Sequence, residues 1–418
     1  MNVLIADTLE QHAVDELRAA GCNVTVDPSL HGDALRNAIV EMDCNVLLVR
    51  STRVTKDMLD AAPSMSLVVR AGAGVNTIDV AAASDRAILV ANCPGKNAVA
   101  VAELTFALIL ALDRRVVDNV NDLRGGRWRK KTYAKARGLK GRTLGIVGLG
   151  RIGRAVAERA RAFEMHVVAW SRSLTDECAA ALGVTRCEDA AAVAARCDVL
   201  SIHLAATPET TRLVDADVLQ RLAPGSYVIN TSRAEVLDYG ALAAAARDRD
   251  IRVGLDVYPN EPGAADESFT DDIVRAGGII YGTHHIGAST DQAQTAIARE
   301  AVRIVLTFKH TQRVENCVNL RAGEHAQYLL VVRHMNRPGV LAHTLNVISR
   351  ASINVEEMDN TIFAGNAAAR AYITLDGKLP DDVRREIETG NEHILTVSQS
   401  AIGKQQPITD NQSARIEN

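Results

Sequence analysis

The sequence predicts an α/β protein: two doubly wound units with parallel sheets, followed by a smaller β-α-β-β-α-β domain. Three observations carry that prediction. Over the first ninety or so residues, short β-branched runs alternate with helical ones. The alternation restarts at Thr143, where an apolar strand pattern runs into a glycine-rich turn. Past residues 321–324 the order changes, and two strand patterns adjoin between two helices, an arrangement that is ferredoxin-like.

In chain order, the first unit reads as strands 3–6, 24–26, 46–49, 67–70 and 88–90, with helices 11–20 and 33–41 among them. A long apolar helix, 99–112, and a basic polar stretch, 124–140, lead to the second unit. Its strands are expected near 145–147, 167–170, 199–203, 227–230, 252–257 and 279–282, before a long helix from 290 to 309. The last domain reads β 327–332, α 339–349, β 353–358, β 369–375, α 380–389 and β 394–399, and a polar tail, 403–418, is expected to be disordered.

At 418 residues the chain has room for about three domains. A composition 47% hydrophobic and 23% charged argues against disorder, collagen and coiled coil. The formal charge of −4 is too even to drive binding to nucleic acid or an anionic membrane, so neither partner is expected. Seven cysteines, an odd number without a Cys-x-x-Cys pair, read as small buried thiols in a reducing cytosol. The N-terminus has no secretory pattern, and the run 98–112, interrupted by Glu103, is too short to span a bilayer. A soluble, cytoplasmic protein is expected.

The segment Thr143-Leu-Gly-Ile-Val-Gly-Leu-Gly-Arg-Ile-Gly153 places Gly148, Gly150 and Gly153 where a strand turns into a helix. Such glycines permit a tight turn, close approach of backbone to a pyrophosphate, and close helix packing, while the helix start offers free N–H groups to the anion. In this context the motif points to a Rossmann-like NAD(P) site. The next strand normally ends in an acid that holds the ribose hydroxyls of NAD. Here it reads Trp170-Ser171-Arg172-Ser173, so NADP is as plausible as NAD, and Asp176 or Glu177 is an alternative ribose partner.

Three further stretches fall at strand ends: Asn230-Thr-Ser-Arg233, Asp256-Val-Tyr-Pro-Asn-Glu261 and Thr283-His-His-Ile-Gly287. An arginine, a carboxylate and a histidine are the set needed to move a hydride on or off a 2-hydroxy acid. Singly, each has a structural explanation: a surface ion pair for Arg233, a loop charge for Glu261, a satisfied strand-end histidine for His285. Their combination resembles the D-isomer-specific 2-hydroxy acid dehydrogenases, and most closely the bacterial phosphoglycerate-oxidising branch that carries a C-terminal ACT domain. The likeness runs from Val3 to about Ile402.

The resemblance implies catalytic roles for Arg233, Glu261 and His285, which directly precedes Ile286-Gly-Ala-Ser. His285 would take the C2 hydroxyl proton, Glu261 would stabilise the imidazolium, and Arg233 would grip the substrate carboxylate. Asp256 would support that pair. Cofactor contacts would come from Gly148, Gly150, Arg151, Ile152, Gly153, Ser171, Arg172, His203, Thr207, Thr231, Arg233, Asp256, His285 and Gly287. Arg50, Ser51, Arg53, Arg70, Gly72, Gly74 and Asn97 would face a 2-hydroxy or 2-oxo acid substrate, the arginines suiting a phosphate because each fork bonds two oxygens. Trp128 resembles a segment that crosses to a neighbouring subunit. His334, Asn336 and Asn354 match a serine-binding loop, with Asn354 taken as ending the preceding helix, although a capped Pro-Gly turn would look the same.

The expected division is a substrate domain, 1–97 and 286–322; a cofactor domain, 98–285; and an ACT domain, 326–402, in a homodimer or homotetramer. Ser171, Ala234 and His284 depart from the family pattern and leave cofactor and substrate open. Competing readings are a reductase for hydroxypyruvate, glyoxylate or another 2-oxo acid, and a dinucleotide-sensing corepressor-like protein. No metal-ligand pattern is present, and adjacent His284 and His285, read on a strand, would face opposite ways.

Overall fold

The β-branched runs of the first unit become β1 (Asn2–Ile5), β2 (Asn23–Val26), β3 (Val46–Val49), β4 (Leu67–Arg70) and β5 (Leu89–Asn92) in a computed structural model that describes residues 1–262, 268–320 and 327–402. The linker 321–324 and the tail 403–418 lie outside the described residues. All pairings are parallel, in the order β2-β1-β3-β4-β5. Every residue of β3 is buried because helices cover both faces, which is why it reads as an unbroken apolar run rather than an alternating one. On one face Val3, Ile5, Val46 and Val69 pack against Ile297, Ala301, Ile304 and Val305. Those four residues belong to helix Asp291–Thr311, so the chain leaves this layer after β5 and returns to it before the C-terminal strands begin. The opposite face packs Leu4, Leu47 and Val68 on Leu35, Ile39 and Leu59.

Between departure and return lie β6 (Thr143–Val147), β7 (His166–Trp170), β8 (Thr185–Arg186), β9 (Val199–Ile202), β10 (Tyr227–Asn230), β11 (Arg252–Leu255) and β12 (Ile280–Gly282). Their order is β12-β11-β10-β9-β6-β7-β8, again parallel. The direction of winding reverses between β6 and β9, which opens a crevice at the carboxyl ends of those strands. Helix Ala98–Arg114 covers one face, with Phe106, Ile109 and Leu112 against Ile146, Tyr227 and Ile229, and Phe106 stacks on Phe163 at 5.1 Å. It stops at Arg115, whose φ of 50° breaks the helical path. The basic stretch then forms a helical turn, Lys130–Tyr133, and leaves Trp128 81% exposed.

The last four strands are β13 (Tyr328–Met335), β14 (Val355–Ile362), β15 (Ala368–Leu375) and β16 (Ile394–Ala401), antiparallel in the order β14-β15-β13-β16. Helices Val340–Arg350 and Asp381–Thr389 bury Leu330, Val332, Ile373 and Leu375 on one face, and this is the expected β-α-β-β-α-β unit. The chain forms two compact units, Met1–Asn319 and Leu320–Asn418. Among the described residues no helix is long and apolar enough to cross a membrane. All seven cysteines are free and five are buried, but Cys178 is exposed and Cys317 half-buried, so the reading of uniformly buried thiols holds only for the five.

Candidate active site

The three glycines differ in what surrounds them. At Gly148, φ is +99° and a Cβ would run into the backbone carbonyl of His203; at Gly153 it would run into the carbonyl of Gly148. Neither position admits a side chain without moving backbone. Gly150, between them, faces open space. The outer glycines thus shape the turn, and the middle one leaves room for an approaching group. Gly148 N–H donates to the carbonyl of Trp170 at 2.8 Å, fixing the turn to the end of β7.

In front of this turn lies a cleft of about 580 Å³ lined by Gly74, Asn97, Ile152, His203, Thr231, Arg233, Asp256, His285 and Gly287, among others. Two buried polar atoms on its wall, Asn97 Oδ1 and His203 Nδ1, have no hydrogen-bond partner. Such groups cost free energy unless a ligand or water satisfies them. Burial drives the His203 imidazole below its usual range, so the ring is neutral near pH 7.

His285 and Glu261, distant in sequence, meet here: His285 Nδ1 lies 2.7 Å from Glu261 Oε2, and Glu261 Oε1 accepts the Tyr258 N–H at 2.9 Å. His285 lies beyond β12, not on it, with φ of +54°, so the strand geometry expected for His284 and His285 does not apply. The turn is held by Asp256, only 1% exposed, which accepts from Thr283 Oγ1 (2.6 Å), Ile286 N–H (2.9 Å) and Gly287 N–H (2.8 Å). Burial raises the Glu261 pKa. The hydrogen bonds from His285 and Tyr258 and the charges of His285 and Arg233 outweigh that, holding it below the usual carboxylate range.

Arg233 follows an Asn230 side chain that accepts from Ser232 N–H (3.0 Å) and Ser232 Oγ (2.8 Å) and donates to the Arg233 carbonyl (2.8 Å), a local turn that sets where Arg233 leaves the sheet. Its guanidinium reaches Gly74, where a Cβ would come within 2.5 Å of Nη2. Arg233 and His285 also border a second pocket of about 430 Å³ that contains Glu261, so Glu261 sits behind the histidine as seen from the main cleft.

Residues 106–287 match the family model described as D-isomer specific 2-hydroxyacid dehydrogenase, NAD binding domain. The chain is 32% identical over 376 residues to D-3-phosphoglycerate dehydrogenase of Methanocaldococcus jannaschii, covering 88% of this chain and 68% of that protein. It is 36% identical over 364 residues to the Mycobacterium tuberculosis protein of the same name, covering 85% and 66%. The chain belongs to the D-isomer specific 2-hydroxyacid dehydrogenases. Among solved structures of this fold, the TT0316 protein of Thermus thermophilus aligns with a TM-score of 0.66 at 31% identity, over 76% of this chain and all of that one. NAD+-bound 3-phosphoglycerate dehydrogenase of Entamoeba histolytica aligns at 0.64 and 25%, over 77% and 99%. This member is accordingly an NAD(P)-binding dehydrogenase of D-2-hydroxy acids, and the glycine turn and unsatisfied cleft atoms fit that cofactor.

Of the arginines expected to face the substrate, Arg70 feels the charge of Arg233, and Arg50 lines a separate pocket with Gln11 and Gln294. Burial, then the positive charges of Arg233 and Arg50, draws the Arg70 pKa down to about 10, and Arg70 Nε is buried without a partner. The Arg70 side chain fills the space where Gly72 would carry a Cβ, while Gly72 N–H is donated to the Arg70 carbonyl at 2.8 Å. Asp7, which carries no signal in the sequence, organises the neighbouring loop by accepting from Arg50 N–H (2.7 Å), Ser51 N–H (3.2 Å), Thr52 N–H (3.1 Å) and Ser51 Oγ (2.8 Å). The Ser51 hydroxyl is therefore already engaged. Arg53 lines a separate pocket with Asn76 and Asp79.

Among the other expected cofactor contacts, Arg151 donates to the Pro94 carbonyl at 2.7 Å, bridging the cofactor turn to the segment after β5. Thr231 Oγ1 is 3.0 Å from Thr105 Oγ1, and the Thr207 hydroxyl is 3.2 Å from that of Thr210. Ser171 is half-buried and Arg172 exposed. In the C-terminal unit His334 is 2% exposed, its ring nitrogens at 2.9 Å from the Met335 carbonyl and 3.1 Å from Asn360 Oδ1. Asn336 donates to the Asn366 carbonyl at 3.1 Å. Asn354 lies past the end of helix Val340–Arg350, its N–H bound to Asp376 Oδ1 at 2.9 Å, so it does not end that helix. Through the ladder, Asn354 adjoins the Tyr328 end of β13 and His334 the other end, about 20 Å away at strand rise.

Proposed function

We propose that this chain oxidises 3-phosphoglycerate to 3-phosphohydroxypyruvate, the first step of L-serine synthesis, with Arg233, Glu261 and His285 as the catalytic set. The observation that carries this reading is the 2.7 Å pair of His285 and Glu261, set at the same cleft as Arg233, whose charge reaches Arg70, as that of Arg50 does. With Nδ1 turned to Glu261, His285 keeps Nε2 for the C2 oxygen. It takes the hydroxyl proton in oxidation and returns it in reduction, and the Glu261 carboxylate stabilises the imidazolium. Arg233 binds the carboxylate and orients C2. NAD(P), when bound, supplies the hydride acceptor.

Arg50 and Arg70 suit a phosphate, and their clustering is costly without an anion to offset the mutual repulsion. The return of helix Asp291–Thr311 to the first sheet supports a discontinuous substrate domain, 1–97 and 286–322, around a cofactor domain, 98–285. The ACT-like unit, 326–402, is read as regulatory. His334 and Asn336 are about 20 Å from Asn354, so a single effector, an amino acid such as L-serine, touches all three only between two copies, which favours a homo-oligomer. Seven free cysteines suit a reducing compartment such as the cytoplasm.

The test is a panel of 3-phosphoglycerate, glycerate, lactate and glyoxylate with wild type, Arg50→Ala and Arg70→Ala. Loss of charge-assisted bonds predicts about a tenfold to hundredfold fall in kcat/KM for the phosphorylated acid and much less for the others. An equal loss across the panel would point to a general 2-hydroxy acid reductase.

A further inference from the structure

The end of β7 sits against the glycine turn through the bond from Gly148 N–H to the Trp170 carbonyl, so the residues that follow stand where an adenosine ribose arrives. Those residues, Ser171, Arg172 and Ser173, offer two hydroxyls and a guanidinium and no acceptor-only group. Their turn is closed by the Leu174 N–H to Ser171 carbonyl bond at 3.0 Å. Of the acids that might serve the ribose instead, Asp176 and Glu209 have partners, while Glu177 is exposed in the first turn of helix Asp176–Ala181. Asp176 faces Arg186 on β8 at 3.5 Å. Glu209 accepts from the Thr207 hydroxyl and its own backbone N–H and feels Arg172 as a further favourable charge. Arg172 itself makes no hydrogen bond or ion pair among the described residues.

We propose that the dinucleotide this chain prefers is NADP(H), its 2′-phosphate held at the end of β7 by Arg172 with the hydroxyls of Ser171 and Ser173. The inference rests on the cleft being a dinucleotide site and adds which dinucleotide fills it. A free ribose 2′-hydroxyl loses the carboxylate that would accept its hydrogen bond. A phosphate at the same place gains charge-assisted bonds from a guanidinium that makes no hydrogen bond among the described residues.

The experiment titrates NADPH and NADH, followed by their own fluorescence, into the full-length protein, Arg172→Ala and Ser171→Asp, with melting temperatures to confirm folding. Wild type is expected to bind NADPH about tenfold or more tighter than NADH, the equivalent of one charge-assisted bond. Arg172→Ala should weaken NADPH about tenfold more than NADH, and Ser171→Asp should reverse the preference. NADPH affinity should also fall more steeply with salt. Wild type binding NADH as tightly as NADPH, or Arg172→Ala weakening both equally, would overturn the preference while leaving the dehydrogenase reading intact. If neither dinucleotide binds, that reading fails as well.

Discussion

A histidine that moves protons needs one ring nitrogen fixed so that the other faces the substrate, and in the role proposed for it His285 meets that need through Glu261. Glu261→Gln keeps a hydrogen-bonding group but removes the charge that stabilises the imidazolium. The expected steady-state result is a fall in kcat of about tenfold to a hundredfold with KM little changed, as for loss of an interaction made mainly in the transition state. Asp7 gives a stability prediction with a definite sign. Burial raises its pKa, but the hydrogen bonds from Arg50, Thr52 and Ser51 prevail and lower it below 3.8. A carboxyl lowered by folding stabilises the native state above its unfolded pKa and loses that contribution as pH falls through the folded value. Asp7→Asn should therefore destabilise the protein by about 1–3 kcal/mol at pH 7 in urea titrations, and the gap to wild type should close as the pH falls below the usual carboxylate range.

At the scale of elements, the glycine turn separates shape from room. Gly148→Ala forces a side chain into left-handed backbone and against the His203 carbonyl, and should lower the melting temperature by several degrees as well as dinucleotide affinity. Gly150→Ala meets nothing within 4 Å, so it should leave stability near wild type and weaken dinucleotide binding alone. Calorimetry and fluorescence titration on the two variants distinguish these outcomes. β3, β4 and β10 were legible to the residue because a strand buried on both faces is a short apolar run between polar ends. β8, two residues long, has no period to read. Asp7 was invisible for another reason: its value comes from a loop 43 residues away, and one acid after a strand makes no pattern. The left-handed turn at His285 was likewise hidden, since Asp256 imposes it from another strand's end.

For the whole molecule, the division into Met1–Asn319 and Leu320–Asn418 predicts that a chain ending at residue 319 folds and turns over substrate within a few-fold of full length. The response to L-serine proposed for the C-terminal unit should be lost, as steady-state assays with and without the amino acid would register. A truncated chain without activity would mean that the C-terminal unit is needed for catalysis itself. The proposed activity depends on proton transfer at His285, and His285→Asn probes it with least disturbance because asparagine tolerates the left-handed backbone there. The decisive measurement is the single-turnover rate of nicotinamide reduction by the preferred 2-hydroxy acid in that variant, at saturating dinucleotide. A rate lower by about a hundredfold to ten-thousandfold, with dinucleotide affinity unchanged, is expected for loss of the general base; a rate within threefold of wild type would contradict it.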